Sequence, residues 1–180
     1  MYLSIDVGIK NLAYLLYDKE IVEWKVIELC DKTQNASKLN MIEVGRKLFD
    51  ALETIKYPVD HIIIENQIGQ NAIRMKMLQG MITLYFISKG INQIHYWNAG
   101  NKLKRFIKTK TTYSQRKKAS VQITREIITK VYPSQLSYFE THKKKDDLAD
   151  CLLQLLDFFV KQDLLPESIN LICNAINLKL

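Results

Sequence analysis

The chain predicts a mixed α/β fold, one five-stranded sheet flanked by helices, and three observations predict it. Apolar runs rich in Leu, Tyr, Ile, Val and Trp at residues 2–6, 11–17 and 21–29 follow each other closely, as in an antiparallel meander. His61-Ile62-Ile63-Ile64-Glu65 is a short, almost wholly apolar run, which suits a central strand buried on both faces. Beyond the meander, helical and strand periods alternate, and that pattern implies a mixed sheet with helices packed on it.

Taken in order, residues 2–6 form a buried strand that runs into a turn at Asp6-Val7-Gly8. Asp18-Lys19-Glu20 is a hairpin connection between the next two strands. Residues 37–56 carry Leu39, Ile42, Val44, Leu48, Ala51, Leu52 and Ile55 at helical spacing, and Pro58 closes that helix. After the strand at 61–65, residues 67–89 read as a long helix stopped by Gly90, with one stripe of Ile73, Met77, Leu78, Met81, Leu84 and Tyr85 toward the sheet. Met75 and Ile82 are left over for a subunit interface. Residues 91–97 form the fifth strand. Residues 98–114 are irregular and basic, 115–131 a helix, 134–143 a loop and 145–160 a final amphipathic helix. A short helix follows Pro166. The expected order is βββαβαβ(loop)αα, in one domain over 1–180.

Composition narrows the function classes. Lys and Arg number 26 against 19 Asp and Glu, a formal charge of +7 that favours an anionic partner, nucleic acid first. Cys30, Cys151 and Cys173 form neither a C-x-x-C pair nor an even disulfide framework. They read as small buried residues in a reducing compartment. No run of 18 apolar residues suggests a membrane span, and the start lacks a charged leader, so an intracellular protein is expected.

Acidic residues at element ends are the candidates for chemistry. Asp6 ends the first strand, Glu65 ends the central one, and Asp147 and Asp150 stand three apart at the start of the last helix, on one face. Singly, each has an ordinary reading: a turn, a strand edge meeting solvent, or acids complementing a helix dipole. Converging carboxylates repel one another, and a divalent cation removes that penalty. Mg²⁺ takes oxygen ligands and retains waters, so it suits carboxylates that also face a phosphate. Two such ions about 3.5–4 Å apart can activate a water and stabilise the leaving oxygen of a phosphodiester.

Four blocks carry a resemblance. Asp6-Val7-Gly8-Ile9-Lys10-Asn11 resembles the D-x-G-x-K-N opening of the Holliday junction resolvases of poxviruses and fungal mitochondria, relatives of the bacterial RuvC nucleases. Ile64-Glu65-Asn66-Gln67 is similar to their second motif, Arg116-Lys117-Lys118-Ala119-Ser120-Val121 to their basic helix start, and Lys145-Asp146-Asp147-Leu148-Ala149-Asp150 to their K-x-D-D-x-A-D block. Asn66 departs from the residue many members carry. The resemblance implies an RNase H-like fold and a homodimer that makes paired, symmetrical nicks in four-way DNA. It implies metal-binding acids at Asp6, Glu65, Asp147 and Asp150, holding Mg²⁺, with Mn²⁺ able to substitute. It assigns Lys118 to stabilise charge at the scissile phosphate, with Lys117 as the competing choice. Asp146 is either a helix cap or a further metal-binding acid. No nucleotide cofactor and no membrane partner is implied.

Lys102, Lys104, Arg105, Lys108, Lys110, Arg116, Lys117 and Lys118 fall in seventeen residues without an acid, interleaved with Phe106 and Tyr113. This reads as a surface that tracks phosphates and stacks unpaired bases, against the plainer reading of a solvated loop. Lys10, Lys143 and Lys144 join the expected nucleic-acid contacts. His61 and His95 read as structural, and Tyr14, Trp24 and Trp97 as core. Two other functions share these features: an RNase H-like nuclease for structured RNA, and a nucleic-acid binding module without catalysis. An actin-like phosphotransferase also opens with D-x-G, but it needs glycine-rich phosphate loops, and this chain has only six glycines.

Overall fold

The computed structural model describes residues 1–55, 57–69, 72–98, 100–107 and 109–176. Its sheet has five strands: β1 (Tyr2–Val7), β2 (Asn11–Asp18), β3 (Glu20–Glu28), β4 (His61–Glu65) and β5 (Gln93–Trp97). They lie in the order β3-β2-β1-β4-β5. The first three form the antiparallel meander, and β4 and β5 join parallel to β1. Lys19, at φ 62°, makes the tight turn between β2 and β3. Gly8 makes the other turn: its N–H donates to the Asn11 carbonyl, and a Cβ there would lie 2.8 Å from that oxygen. Only glycine lets the chain turn so closely behind Asp6.

The helices are α1 (Met41–Glu53), α2 (Ile73–Ser88), α3 (Tyr113–Val131), α4 (Leu136–Thr141), α5 (Lys145–Lys161) and α6 (Glu167–Ala175). Side chains alternate across β1 and β4, so two cores form. Leu3, Ile5, Ile62 and Ile64 face α1 and α2. Ile63, with Ala13, Leu15 and Trp24 of the meander, faces α3 and α5.

Element starts differ from expectation where side chains cap the backbone. Asn40 accepts from the Ile42 N–H and starts α1 at 41 rather than 37, after a 3₁₀ turn at Ala36–Lys38. Thr112 and Gln115 form a reciprocal capping box that starts α3 two residues early. The expected loop at 134–143 is instead a 3₁₀ turn and α4, because Phe139 is buried and stacks on Trp24 at 5.5 Å. Along α2 the buried side chains are Leu78, Gln79, Ile82 and Phe86, while Ile73, Met77 and Leu84 are exposed. The expected stripe is therefore rotated, and Ile82 belongs to the core. Apolar residues stand on more than one face of α2, so periodicity does not declare its inner face.

Ten of the seventeen residues of α5 are buried, and hydrogen bonds dock the helix to the sheet. Gln154 Nε2 donates to Ser4 Oγ, the Ile5 carbonyl and the Ile63 carbonyl at 3.1–3.2 Å. Ser4 Oγ donates to the Cys151 carbonyl, and Trp24 Nε1 to the Leu148 carbonyl. Gln154→Leu leaves buried acceptors without a donor, and should cost about 2–4 kcal/mol of stability in urea denaturation. A loss within experimental error would show that water replaces the amide.

Tyr14 and Trp24 are core residues as expected, and Trp97 is half-buried with Nε1 donating to Asp157. His61 and His95 lie in an aromatic stack with Tyr2 and Phe158.

Candidate active site

The site forms where the parallel strands end. Ile5 of β1 pairs with Ile64 of β4, so the next residues on each, Asp6 and Glu65, stand side by side on the face that meets α5. Ligand crevices commonly open at the carboxyl ends of parallel strands. The first two turns of α5 bring Asp147 and Asp150 to the same place, with Asp146 beside them, and the Gln154 bonds one turn below fix their height.

A cavity of about 540 Å³ opens there, lined by Asp6, Glu65, Asp147 and Asp150. Its other wall is Gly100, Lys102, Leu103, Tyr113, Arg116, Lys117 and Ser120. Acids from β1, β4 and α5, distant in sequence, thus meet basic residues from α3 and the segment before it.

Burial and the neighbouring Glu65 carboxylate hold the Asp6 carboxyl well above the ordinary carboxylate range. Asp150 is also raised, chiefly by burial, although Lys102 opposes the effect. Burial and the nearby Asp146 raise Asp147. Glu65 is oriented by Gln67, whose Nε2 donates to Glu65 Oε2 at 2.9 Å and to the Val7 carbonyl at 3.3 Å. Gln79 in turn accepts from the Gln67 N–H at 3.0 Å. These commitments of Gln67, with Gly69 at φ 110°, keep residues 66–69 out of the helix expected from 67 and delay α2 to 73.

Among the described residues, no three His, Cys, Asp or Glu side chains stand as a ready-made metal cage. The Lys102 ammonium stands among these acids, 2.9 Å from Asp150 Oδ2 and 3.6 Å from Glu65 Oε1. The donor set itself still fits a hard divalent cation. It is all carboxylate oxygen, it is desolvated, and its members repel one another, the penalty such an ion relieves.

Lys102 is therefore not the solvated phosphate contact expected of it. It is 9% exposed, and although burial works against its charge, Asp150, Asp6 and Glu65 outweigh burial and hold it above the ordinary lysine value. Nor is Lys118 the lysine in the cleft: it is exposed and lies outside the lining residues, whereas Lys117 faces in. Lys117 donates to Asp146 Oδ2 and sits 5.3 Å over the Tyr113 ring. Burial opposes the Lys117 charge, but the bonds to Asp146 and Tyr113 overcome it and raise its pKa. Asp146 is correspondingly lowered by Lys117 against the opposing effect of burial. Asp147 lines the cleft, with Lys144 at 3.7 Å.

Of the other basic residues, Lys104, Lys110, Arg116 and Lys143 are exposed, while Arg105 is tied by its guanidinium to Asn170 and Asn174 of α6. Lys10 donates to the Lys32 carbonyl at 2.8 Å. Phe106 is buried, so it is a core residue and not a stacking platform; Tyr113 is exposed. Lys108 lies outside the described residues.

No curated protein sequence matches the chain. In fold it is similar to the fowlpox virus Holliday junction resolvase, with 21% identity and a TM-score of 0.62 over 89% of this chain and 98% of that one. The fowlpox virus resolvase in complex with its substrate Holliday junction DNA matches with 20% identity and a TM-score of 0.61, over 89% of this chain and 99% of that one. Thermus thermophilus RuvC bound to a Holliday junction substrate matches with 11% identity and a TM-score of 0.53, over 90% and 95%. The fold is thus the RuvC type of the RNase H-like architecture. The family model described as Poxvirus A22 protein matches residues 1–162 of the 180, and the chain belongs to that family.

Proposed function

We propose that the chain is a structure-selective endonuclease that resolves four-way DNA junctions by metal-dependent phosphodiester hydrolysis. One observation carries the reading: Asp6, Glu65 and Asp150 converge at a cavity whose facing wall is Arg116, Lys117 and Tyr113. Family membership and fold supply the substrate class. The fowlpox virus and Thermus thermophilus proteins of this fold were solved with Holliday junction DNA.

When bound, a pair of Mg²⁺ ions supplies an activated water and a counter-charge for the leaving oxygen. The remaining work falls to the chain. Asp6, Glu65 and Asp150 provide the oxygen cradle, with Asp147 at its rim. Gln67 keeps Glu65 turned toward Asp6 through its bond to Oε2. Lys117, held over Tyr113 and against Asp146, presents a positive charge to the phosphate as it gains negative charge. Lys104, Lys110, Arg116 and Lys143 neutralise flanking phosphates, and Tyr113 offers an aromatic face to an unpaired base.

Paired nicks require two active sites, and a homodimer provides them. Ile73, Met77, Leu84 and Ile87 on the outer side of α2, with Ile42 and Phe49 of α1, form an exposed apolar face suited to a second copy. The three cysteines are free and buried, which suits a reducing, intracellular setting. Among the described residues no helix is long and apolar enough to cross a membrane.

The test is incubation of the purified protein with a four-way junction labelled on each strand in turn, with and without Mg²⁺. Symmetry-related nicks on two opposed strands, dependent on the metal, are expected. Cleavage of structured RNA with the junction untouched would favour the RNA nuclease instead. Junction binding without any metal-dependent cut would favour a binding module.

A further inference from the structure

The segment between β5 and α3 places a lysine where the proposed chemistry needs a metal. Its backbone is held by turn hydrogen bonds, Asn101 N–H to Asn98 carbonyl and Lys104 N–H to Asn101 carbonyl, both 3.0 Å. It is also anchored by the buried side chains of Leu103 and Phe106. Between these anchors the Lys102 side chain runs inward, and its ammonium rests 2.9 Å from Asp150 Oδ2 and 3.6 Å from Glu65 Oε1.

An ammonium and a divalent ion compete for these oxygens. A lysine ammonium has three donors and no lone pair, so it cannot join a coordination shell. It also keeps carboxylate oxygens about 2.7–2.9 Å away, whereas Mg²⁺ draws them in to about 2.1 Å. Two cations held against one group of carboxylates repel each other in a site shielded from water. The four-carbon stem of lysine lets the charge move while the backbone stays. The space for it is the adjoining cleft, whose lining includes Lys102 itself, Gly100 and Ser120.

We propose that Lys102 is the resident counter-ion of the metal-free site, displaced into the cleft when a divalent cation loads. This rests on the metal-dependent reading of the same carboxylates. It assigns Lys102 two positions. In one it neutralises Glu65 and Asp150 and keeps the empty site folded. In the other its ammonium faces the space where a phosphate lies. Two consequences follow. The work of displacement weakens metal binding to the free protein. A bound phosphate gives the displaced ammonium a partner, so nucleic acid and metal strengthen each other's binding, as linkage requires.

The experiment uses Mn²⁺ as the probe and no DNA. By titration calorimetry, Lys102→Met, which retains the stem and loses the charge, should bind Mn²⁺ at least about fivefold more tightly than the wild type. Its metal-free form should melt at a lower temperature and recover on adding Mn²⁺. A second measurement needs no variant. The wild-type protein is pulse-labelled with an amine-acetylating ester, and modification of Lys102 is quantified by peptide mass spectrometry. Labelling should rise several-fold when Mn²⁺ is bound. Equal Mn²⁺ affinity in the two proteins, or Lys102 labelling unmoved by Mn²⁺ that binds, would overturn the displacement and leave the metal reading standing. Failure of both proteins to take up Mn²⁺ would overturn the metal reading, and the displacement with it.

Discussion

Asp6→Asn should abolish junction cleavage, lowering the single-turnover rate by roughly a thousandfold or more, while junction affinity stays within a few-fold of wild type. The substitution is isosteric and sits in the centre of the sheet, where β1 pairs with both β2 and β4. It removes one charged oxygen from the cradle and no basic residue from the DNA-facing wall. The same change should stabilise the metal-free protein. Burial and Glu65 raise the Asp6 pKa in the folded state, so the folded state favours the protonated form. A raised carboxyl stabilises the fold only at acid pH. That contribution is lost as pH rises from the unfolded value near 3.8 through the folded one, leaving an ionised group that the fold disfavours. Asparagine removes that penalty, so at neutral pH and without metal the variant should unfold at a higher denaturant concentration than the wild type. Asp150→Asn should behave oppositely in stability, because it breaks the pair with the buried Lys102 ammonium. Wild-type cleavage by the purified Asp6 variant would end the assignment of this site.

Lys117→Met should lower the single-turnover rate by about a hundredfold or more, the usual cost of removing a group that meets charge developing in the transition state. Lys118→Met should stay within about twofold under the same saturating conditions. The two lysines differ by one step along α3, and one step rotates a side chain by about 100°. The buried stripe of that helix runs through Ser120, Ile123, Thr124 and Ile127. Lys117 stands three residues before Ser120 and seven before Thr124, so it extends that stripe past the edge of the core and into the cleft. Lys118 leads instead to Gln122, on the exposed side. If Lys118→Met slows cleavage and Lys117→Met does not, α3 is rotated on the DNA relative to its position here.

Much of this protein was legible in its residues. The five strands, their approximate limits and the mixed sheet follow from local patterns: apolar runs of strand length, punctuated by Asp-Val-Gly at 6–8 and by Lys19. Asp6, Glu65 and Asp150 stood out because each acid follows or begins an otherwise apolar element, a placement that is costly without a partner. Each acid alone also has an ordinary local reading, and that they meet at one site is what the resemblance to the resolvases implied.

Other features depended on contacts between parts of the chain far apart in sequence, where local pattern is silent. Lys102 looked like any cation in a basic run, and only the meeting of β1, β4 and α5 turns it into a buried ion-pair partner. Arg105 resembled a phosphate contact until α6 folded back with Asn170 and Asn174. Gln154, a polar residue in an apolar helix, reveals its role only when the carbonyls of β1 and β4 lie opposite it. Periodicity reports which side of an element prefers to leave water, and turn residues report where it ends. Neither reports which charged group will find which partner, because that choice depends on distance and burial, and these exist only once the chain has folded.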